Sequence, residues 1–152
     1  MNFPEIKRTT SDNADFQKLV SFLDLDLATR DGKEHEFYAQ FNSSAGIKHS
    51  IVAYVNGEPS GIGALRPVNS TTVEIKRMFV KLEYRGQGIA KQILAELEVW
   101  AGEMNFNTCI LETGKKQPEA ISLYKNCGYQ FIPNYGPYQA TENSVCMKKE
   151  IG

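Results

Sequence analysis

The spacing of apolar and polar residues changes character several times along this chain, and each change predicts an element. Glu5 to Thr9 suits a first strand. Ser11, Asp12 and Asn13 then offer N-caps to a helix running to about Arg30, with Phe16, Leu19, Val20, Phe22, Leu23 and Leu27 as its apolar stripe. Asp31-Gly32 breaks that helix, and a shorter one is predicted over Glu34 to Phe41. Ile47, His49, Ile51, Ala53 and Val55 alternate with other residues as far as Asn56-Gly57, a pair whose tolerance of positive φ marks a two-residue hairpin turn. The returning strand, Pro59 to Leu65, carries Gly61 and Gly63, which weaken it or admit another backbone close by. Thr71 to Val80 reads as the next strand.

Beyond residue 88 the period becomes helical. Ile89, Ile93, Leu97 and Trp100 recur at spacings of four, four and three, with Ala90, Leu94 and Ala101 beside them, so one broad face is buried. Gly102 and Asn105 lie near the end of this helix. Cys109 to Thr113 reads as a short buried strand, Pro118 as the first residue of the last helix and Gly128 as its terminator. Tyr129 to Ile132 and Ser144 to Met147 read as closing strands. The order β-αα-βββ-αβ-αβ-β is that of a mixed α/β sandwich.

Between the strand ending at Val80 and the long helix lies Tyr84-Arg85-Gly86-Gln87-Gly88-Ile89-Ala90-Lys91. Glycines let the backbone approach a ligand, and the helix start directs unpaired N–H groups and the positive dipole end into the loop. This is an anion cradle, suited to a phosphate-bearing cofactor. The dinucleotide fingerprint fails because Lys91 stands where a third glycine is needed. A Walker loop fails at Gly114-Lys115-Lys116, where Lys116 replaces the required hydroxyl and Cys109 the required glycine. Arg85-x-x-Gly88-x-Ala90 instead resembles the pyrophosphate motif Arg/Gln-x-x-Gly-x-Gly/Ala of the GNAT acetyltransferase superfamily. Gln117-Pro118-Glu119-Ala120-Ile121-Ser122-Leu123-Tyr124-Lys125-Asn126-Cys127-Gly128-Tyr129 is similar to that family's Asn-x-x-Ala-x-x-Leu-Tyr-x-x-x-Gly-Phe, with Gln117 where asparagine is usual. The resemblance covers roughly residues 73 to 132.

The resemblance implies a single acetyltransferase domain over residues 1–152, with a mostly antiparallel sheet of about 6–7 strands and about four helices. It implies acetyl-coenzyme A as acyl donor and a primary amine of a small molecule or peptide as acceptor, in a direct attack within a ternary complex. The Arg85–Lys91 segment, through Arg85, Gly86, Gln87, Gly88, Ile89, Ala90 and Lys91, would hold the pyrophosphate. The main chain of Met78, Phe79 and Val80 would meet the pantetheine arm, Gln117 would hydrogen-bond it, and Tyr124 would protonate the leaving thiolate. Glu74, eleven residues before Arg85, stands where histone-type members carry a catalytic glutamate. Partly desolvated amid Val73, Ile75 and Phe79, it would act as base through a water; the alternatives are a rim charge paired with Lys76 or Arg77, and Glu112 as the base. Asp24, Asp26, Asp31, Glu34 and Glu36 would favour a cationic acceptor, and Tyr135-Gly136-Pro137-Tyr138 suits a lid. The rival readings are a non-catalytic acetyl-coenzyme A sensor or interaction domain, and transfer of another acyl group or to another nucleophile.

Composition narrows the rest. In 152 residues with 41% apolar content, 17 basic and 18 acidic residues leave a net charge of −1, so neither nucleic acid nor a membrane surface is expected as partner. Cys109, Cys127 and Cys146 are widely spaced without a CxxC, and His35 lies far from His49, so no metal site, disulfide framework or cysteine nucleophile is expected. A reducing cytoplasm is the expected location, since the start Met1-Asn2-Phe3-Pro4-Glu5 is no signal peptide and no apolar run nears about 18 residues. A homodimer is compatible with the resemblance.

Overall fold

The computed structural model describes residues 3–39 and 43–152. The chain runs β1 (Glu5–Thr9), α1 (Ala14–Asp31), α2 (His35–Ala39), β2 (His49–Val55), β3 (Glu58–Pro67), β4 (Thr72–Val80), α3 (Ile89–Glu103), β5 (Thr108–Gly114), α4 (Pro118–Asn126), β6 (Gln130–Ile132) and β7 (Ser144–Glu150). Asn13 caps α1, its side chain accepting from the Phe16 N–H. A 3-10 turn over Gly32–Glu34 joins α1 to α2, and the predicted end of α2 at Phe41 lies outside the described residues.

The seven strands form one sheet in the order β1-β2-β3-β4-β5-β7-β6, in which only β4 and β5 pair in parallel. Asn56 and Gly57, at φ 51° and 79°, make the tight turn between β2 and β3. Alternation along β2 sends Ile51, Ala53 and Val55 to the face covered by α3, and Val52 to the face covered by Phe16 and Leu19 of α1. Ile93 and Leu97 of α3 and Phe16 and Leu19 of α1 have no exposed surface, each contributing about 1.5–3 kcal/mol by burial. What approaches Gly61 and Gly63 is chiefly α3: a Cβ on Gly63 would stand 2.7 Å from Ile93 Cγ2 and 2.7 Å from Met78 Sδ. The helix therefore sits against β3 at a depth that only glycine permits.

Both later helices end through a left-handed residue. Asn105, at φ 70°, lets the Phe106 N–H reach the Ala101 carbonyl at 3.0 Å, and Gly128, at φ 96°, lets the Tyr129 N–H reach the Tyr124 carbonyl at 3.0 Å. The second closure fixes the C-terminal turn of α4, which carries Tyr124.

Candidate active site

The site begins as a gap in the sheet. β4 pairs with β5 only from Thr72 to Glu74, against Thr108 to Ile110, whereas β5 stays paired with β7 as far as Gly114. From Ile75 onward β4 therefore turns away from β5, leaving an edge whose main-chain groups are offered to a ligand. On its other side β4 slips register against β3 between Ile62 and Ala64, with Arg77 at φ 58° in the irregularity. The Arg77 side chain is only 2% exposed and forms an ion pair with Asp24 of α1, which ties that helix across the strand.

At the end of β4 the chain enters the cradle. Gly86 and Gly88 have φ of 80° and 82°, and a Cβ at either would meet nothing within 4 Å, so conformation rather than crowding calls for glycine. Gly88 caps α3, whose first closing bond runs from the Gln92 N–H to the Gly88 carbonyl at 3.1 Å. The N–H groups before Gln92 have no partner within the helix and face outward with the positive dipole end. Arg85 staples this loop to the strand, its Nε donating to the Val80 carbonyl at 2.8 Å and its guanidinium lying 5.5 Å from the Phe79 ring centroid. The Arg85 Nε is thus committed to the strand, while the residue still lines the cleft beside the cradle.

A cleft of about 410 Å³, within the range of small-molecule sites, runs from the cradle to α4. Met78, Phe79 and Val80, Arg85, Gly86 and Gly88, Ile89, Ala90 and Lys91, and Gln117 and Tyr124 all line it. Gln87 does not, and its side chain turns toward the Glu83 carbonyl at 3.5 Å. Arg30 of α1 spans the cleft by pairing with Asp26 on its own helix and with Glu119 of α4.

A second cavity, of about 100 Å³, lies on the other side of Tyr124 and shares Leu23, Met78, Gln117, Ala120 and Tyr124 with the cleft. Tyr124 is 6% exposed, its ring meets Tyr129 edge-on at 5.8 Å, and burial raises its phenol pKa, so it is protonated at neutral pH. Glu74 and Glu112 both face this cavity, with Asp31, Tyr38, Lys76 and Tyr138. Their environments differ. Glu74 accepts a hydrogen bond from the Tyr135 hydroxyl at 2.7 Å and has Lys76 Nζ at 3.9 Å. Glu112 is pushed up to about 7, chiefly by burial, with Glu74 and Asp31 adding repulsion against the Ser144 hydroxyl and Lys76.

The loop after β6 closes the cavity. Asn134 Nδ2 braces it with bonds of 3.1 Å to the Thr141 and Ser144 carbonyls, Tyr135 reaches Glu74, and Tyr138 lines the wall. Of the five acids expected to favour a cationic acceptor, Asp24 pairs with Arg77 and Asp26 with Arg30, while Asp31 faces the cavity. Tyr38 and Lys76 escaped the sequence reading as cavity residues. Tyr38 carries no local signal, but Lys76 lies two residues from Glu74 on a strand, and so on its face.

Residues 16–129 match the family model described as the acetyltransferase (GNAT) family. The chain belongs to the GNAT family of acetyltransferases. It is 34% identical over 96 residues to YjgM of Escherichia coli, described as an uncharacterized N-acetyltransferase, the match spanning 61% of this chain and 57% of that protein. It is 32% identical over 102 residues to the IAA acetyltransferase of Azospirillum brasilense, spanning 66% of this chain and 67% of that one. Among solved structures, an acyl-CoA N-acyltransferase assigned in Klebsiella pneumoniae superposes with a TM-score of 0.83 at 27% identity, covering 99% of both chains. A GNAT acetyltransferase of Elizabethkingia anophelis solved with acetyl-CoA bound has the same fold, at a TM-score of 0.67, 20% identity and 97% coverage of both chains. Among the described residues no helix is long and apolar enough to cross a membrane.

Proposed function

We propose that this chain moves the acetyl group of acetyl-coenzyme A to the primary amine of a small molecule, by direct attack, with Tyr124 as general acid and Glu112 as general base. The observation that carries the reading is the position of Tyr124, which lines both the cradle cleft and the small polar cavity. The thioester would meet the amine at that junction. The cofactor fits the donor set: outward N–H groups and Lys91 for the pyrophosphate, and the unpaired edge of β4 for the amides of the pantetheine arm.

In the reaction the amine nitrogen bonds to the thioester carbon, and the carbon–sulfur bond breaks. A β4 main-chain N–H near Phe79 or Val80 steadies the oxyanion, Glu112 takes the ammonium proton through a water, and Tyr124 supplies the thiolate proton. Glu112 suits the base role because its carboxyl titrates at about 7, where a base for an ammonium is most effective. Glu74 is occupied by Tyr135, which suits holding the cavity wall. Asp31, Glu74 and Glu112 favour a cationic acceptor, and a cavity of about 100 Å³ favours a small one.

Mixing the protein and acetyl-coenzyme A with a panel of amines, and reading coenzyme A release together with product mass, tests the assignment. Tyr124→Phe should keep its affinity for acetyl-coenzyme A and lose roughly 10²-fold or more in kcat when chemistry limits the rate. An unchanged single-turnover rate would remove Tyr124 from the mechanism.

A further inference from the structure

Among the described residues, Lys76 is the one lysine that lines the cavity in which the amine acceptor would sit. Its side chain is 8% exposed and shares that cavity with Tyr124, Glu112 and Met78. Nothing in the mechanism above uses it. An ordinary surface lysine is protonated and wet, and therefore a poor nucleophile; Lys76 is neither fully hydrated nor far from a base.

We propose that Lys76 is itself an acetyl acceptor, taking the acetyl group from acetyl-coenzyme A when no amine substrate occupies the cavity, and that the acetyl-lysine then closes the cavity to substrate. The inference rests on the acetyl-transfer reading of the site. In the step, Lys76 Nζ bonds to the thioester carbon and the carbon–sulfur bond breaks. The displaced ammonium proton passes to Glu112, Tyr124 protonates the departing thiolate, and an amide and free coenzyme A result. An amide does not return its acyl group, so the product is a stop and not a relay.

Beyond position, charge and burial support the step. Lys76 Nζ lies 3.9 Å from Glu74 Oε1, within ion-pair range, which holds the amine at the cavity wall that Glu112 and Tyr124 also line. Burial lowers the Lys76 pKa, with Arg77 of its own strand and Arg66 of β3 acting the same way and Glu74 and Glu112 acting against them. The neutral amine is therefore reached at lower pH than on an exposed lysine. The consequence for the site follows from charge: acetylation removes the cation that holds the Glu112 pKa down, and it fills a cavity of about 100 Å³ with an acetyl group.

The experiment is incubation of the protein with acetyl-coenzyme A alone, followed by digestion and peptide mass mapping against time. Lys7 and Lys148, with side chains 59% and 44% exposed, report the chemical background. Lys76 should gain an acetyl group about 10²-fold faster than either, the size of general acid–base assistance. Its rate should not depend on protein concentration and should level off at lower pH than that of the exposed lysines. Tyr124→Phe should slow Lys76 labelling alone, and Lys76→Arg should abolish the time-dependent loss of amine-acetylating activity that follows pre-incubation. Lys76 labelled no faster than Lys7, in a protein that binds acetyl-coenzyme A and acetylates amines, overturns the proposal and leaves the function standing. Failure to bind acetyl-coenzyme A or to turn over any amine brings down both.

Discussion

At the scale of single residues, Glu74 and Glu112 show how the same side chain takes two roles from its surroundings. Glu74 is held by Tyr135 at 2.7 Å, while Glu112 lies where burial pushes its carboxyl up from 4.5 to about 7. The folded state thus holds a proton on Glu112 between those values that the unfolded chain releases, so this group makes stability fall as pH rises through that window. Glu112→Gln should therefore gain on the order of 2 kcal/mol relative to wild type at pH 8 and nothing at pH 4, from about 1.36 kcal/mol per pKa unit with allowance for relaxation. Denaturant titrations at the two pH values check it. In kcat/KM the wild type should show a rising limb near pH 7 that Glu112→Gln abolishes and Glu74→Gln retains. A limb lost with Glu74→Gln instead would return the base to Glu74. Neither environment could be seen in the sequence, because Tyr135 stands 61 positions from Glu74 and only the folded sheet brings them together.

At the scale of elements, the gap between β4 and β5 depends on how β3, β4 and α3 pack. Gly63 lets Ile93 and Met78 close over it, and Met78 belongs to the strand edge that faces the cleft. Gly63→Ala would place a Cβ 2.7 Å from both, and because Ile93 is fully buried it can yield only by moving α3 or the strand. A loss of about 1–3 kcal/mol is expected, as for other overpacked cores, with a weaker acetyl-coenzyme A affinity beyond the loss of stability. Thermal melts and a binding titration read the two effects separately, and an unaltered affinity would show that the β4 edge does not depend on this contact. Elements marked by local chemistry were legible in advance: the Asn56-Gly57 turn, the Pro118 start of α4 and the α3 stripe all stand where the spacing predicts. The register slip at Arg77 was not, since a non-glycine residue at φ 58° has no signature in the chain. β6, expected over Tyr129 to Ile132, stands at Gln130–Ile132, but its place at the sheet edge beside β7 is set by pairing that no local pattern shows.

At the scale of the whole molecule, the cradle and the long helix act together as the anchor of the proposed donor, and linkage makes this measurable. A ligand bound only by the folded state adds RT ln(1 + [L]/Kd), about 2.7 kcal/mol at a hundredfold excess, which for a chain of this size raises Tm by roughly 5–10 °C. Acetyl-coenzyme A should therefore stabilise the wild type by an amount that grows with the logarithm of its concentration, while acetyl-pantetheine, which lacks the pyrophosphate, should give a much smaller shift. Gly88→Val tests the part played by the backbone. The residue sits at φ 82° with open space where a Cβ would go, so valine meets no wall, but a β-branched side chain cannot hold that conformation without strain. The start of α3 should then rotate its N–H groups out of the cleft. The quantity to compare is the ligand-induced shift and not the Tm itself, since the variant also loses stability without ligand. A Gly88→Val protein that melts lower yet gains the wild-type shift would mean that the α3 start does not hold the pyrophosphate, and the anchor would have to be sought in the side chains of Arg30, Arg85 and Lys91 that line the same cleft.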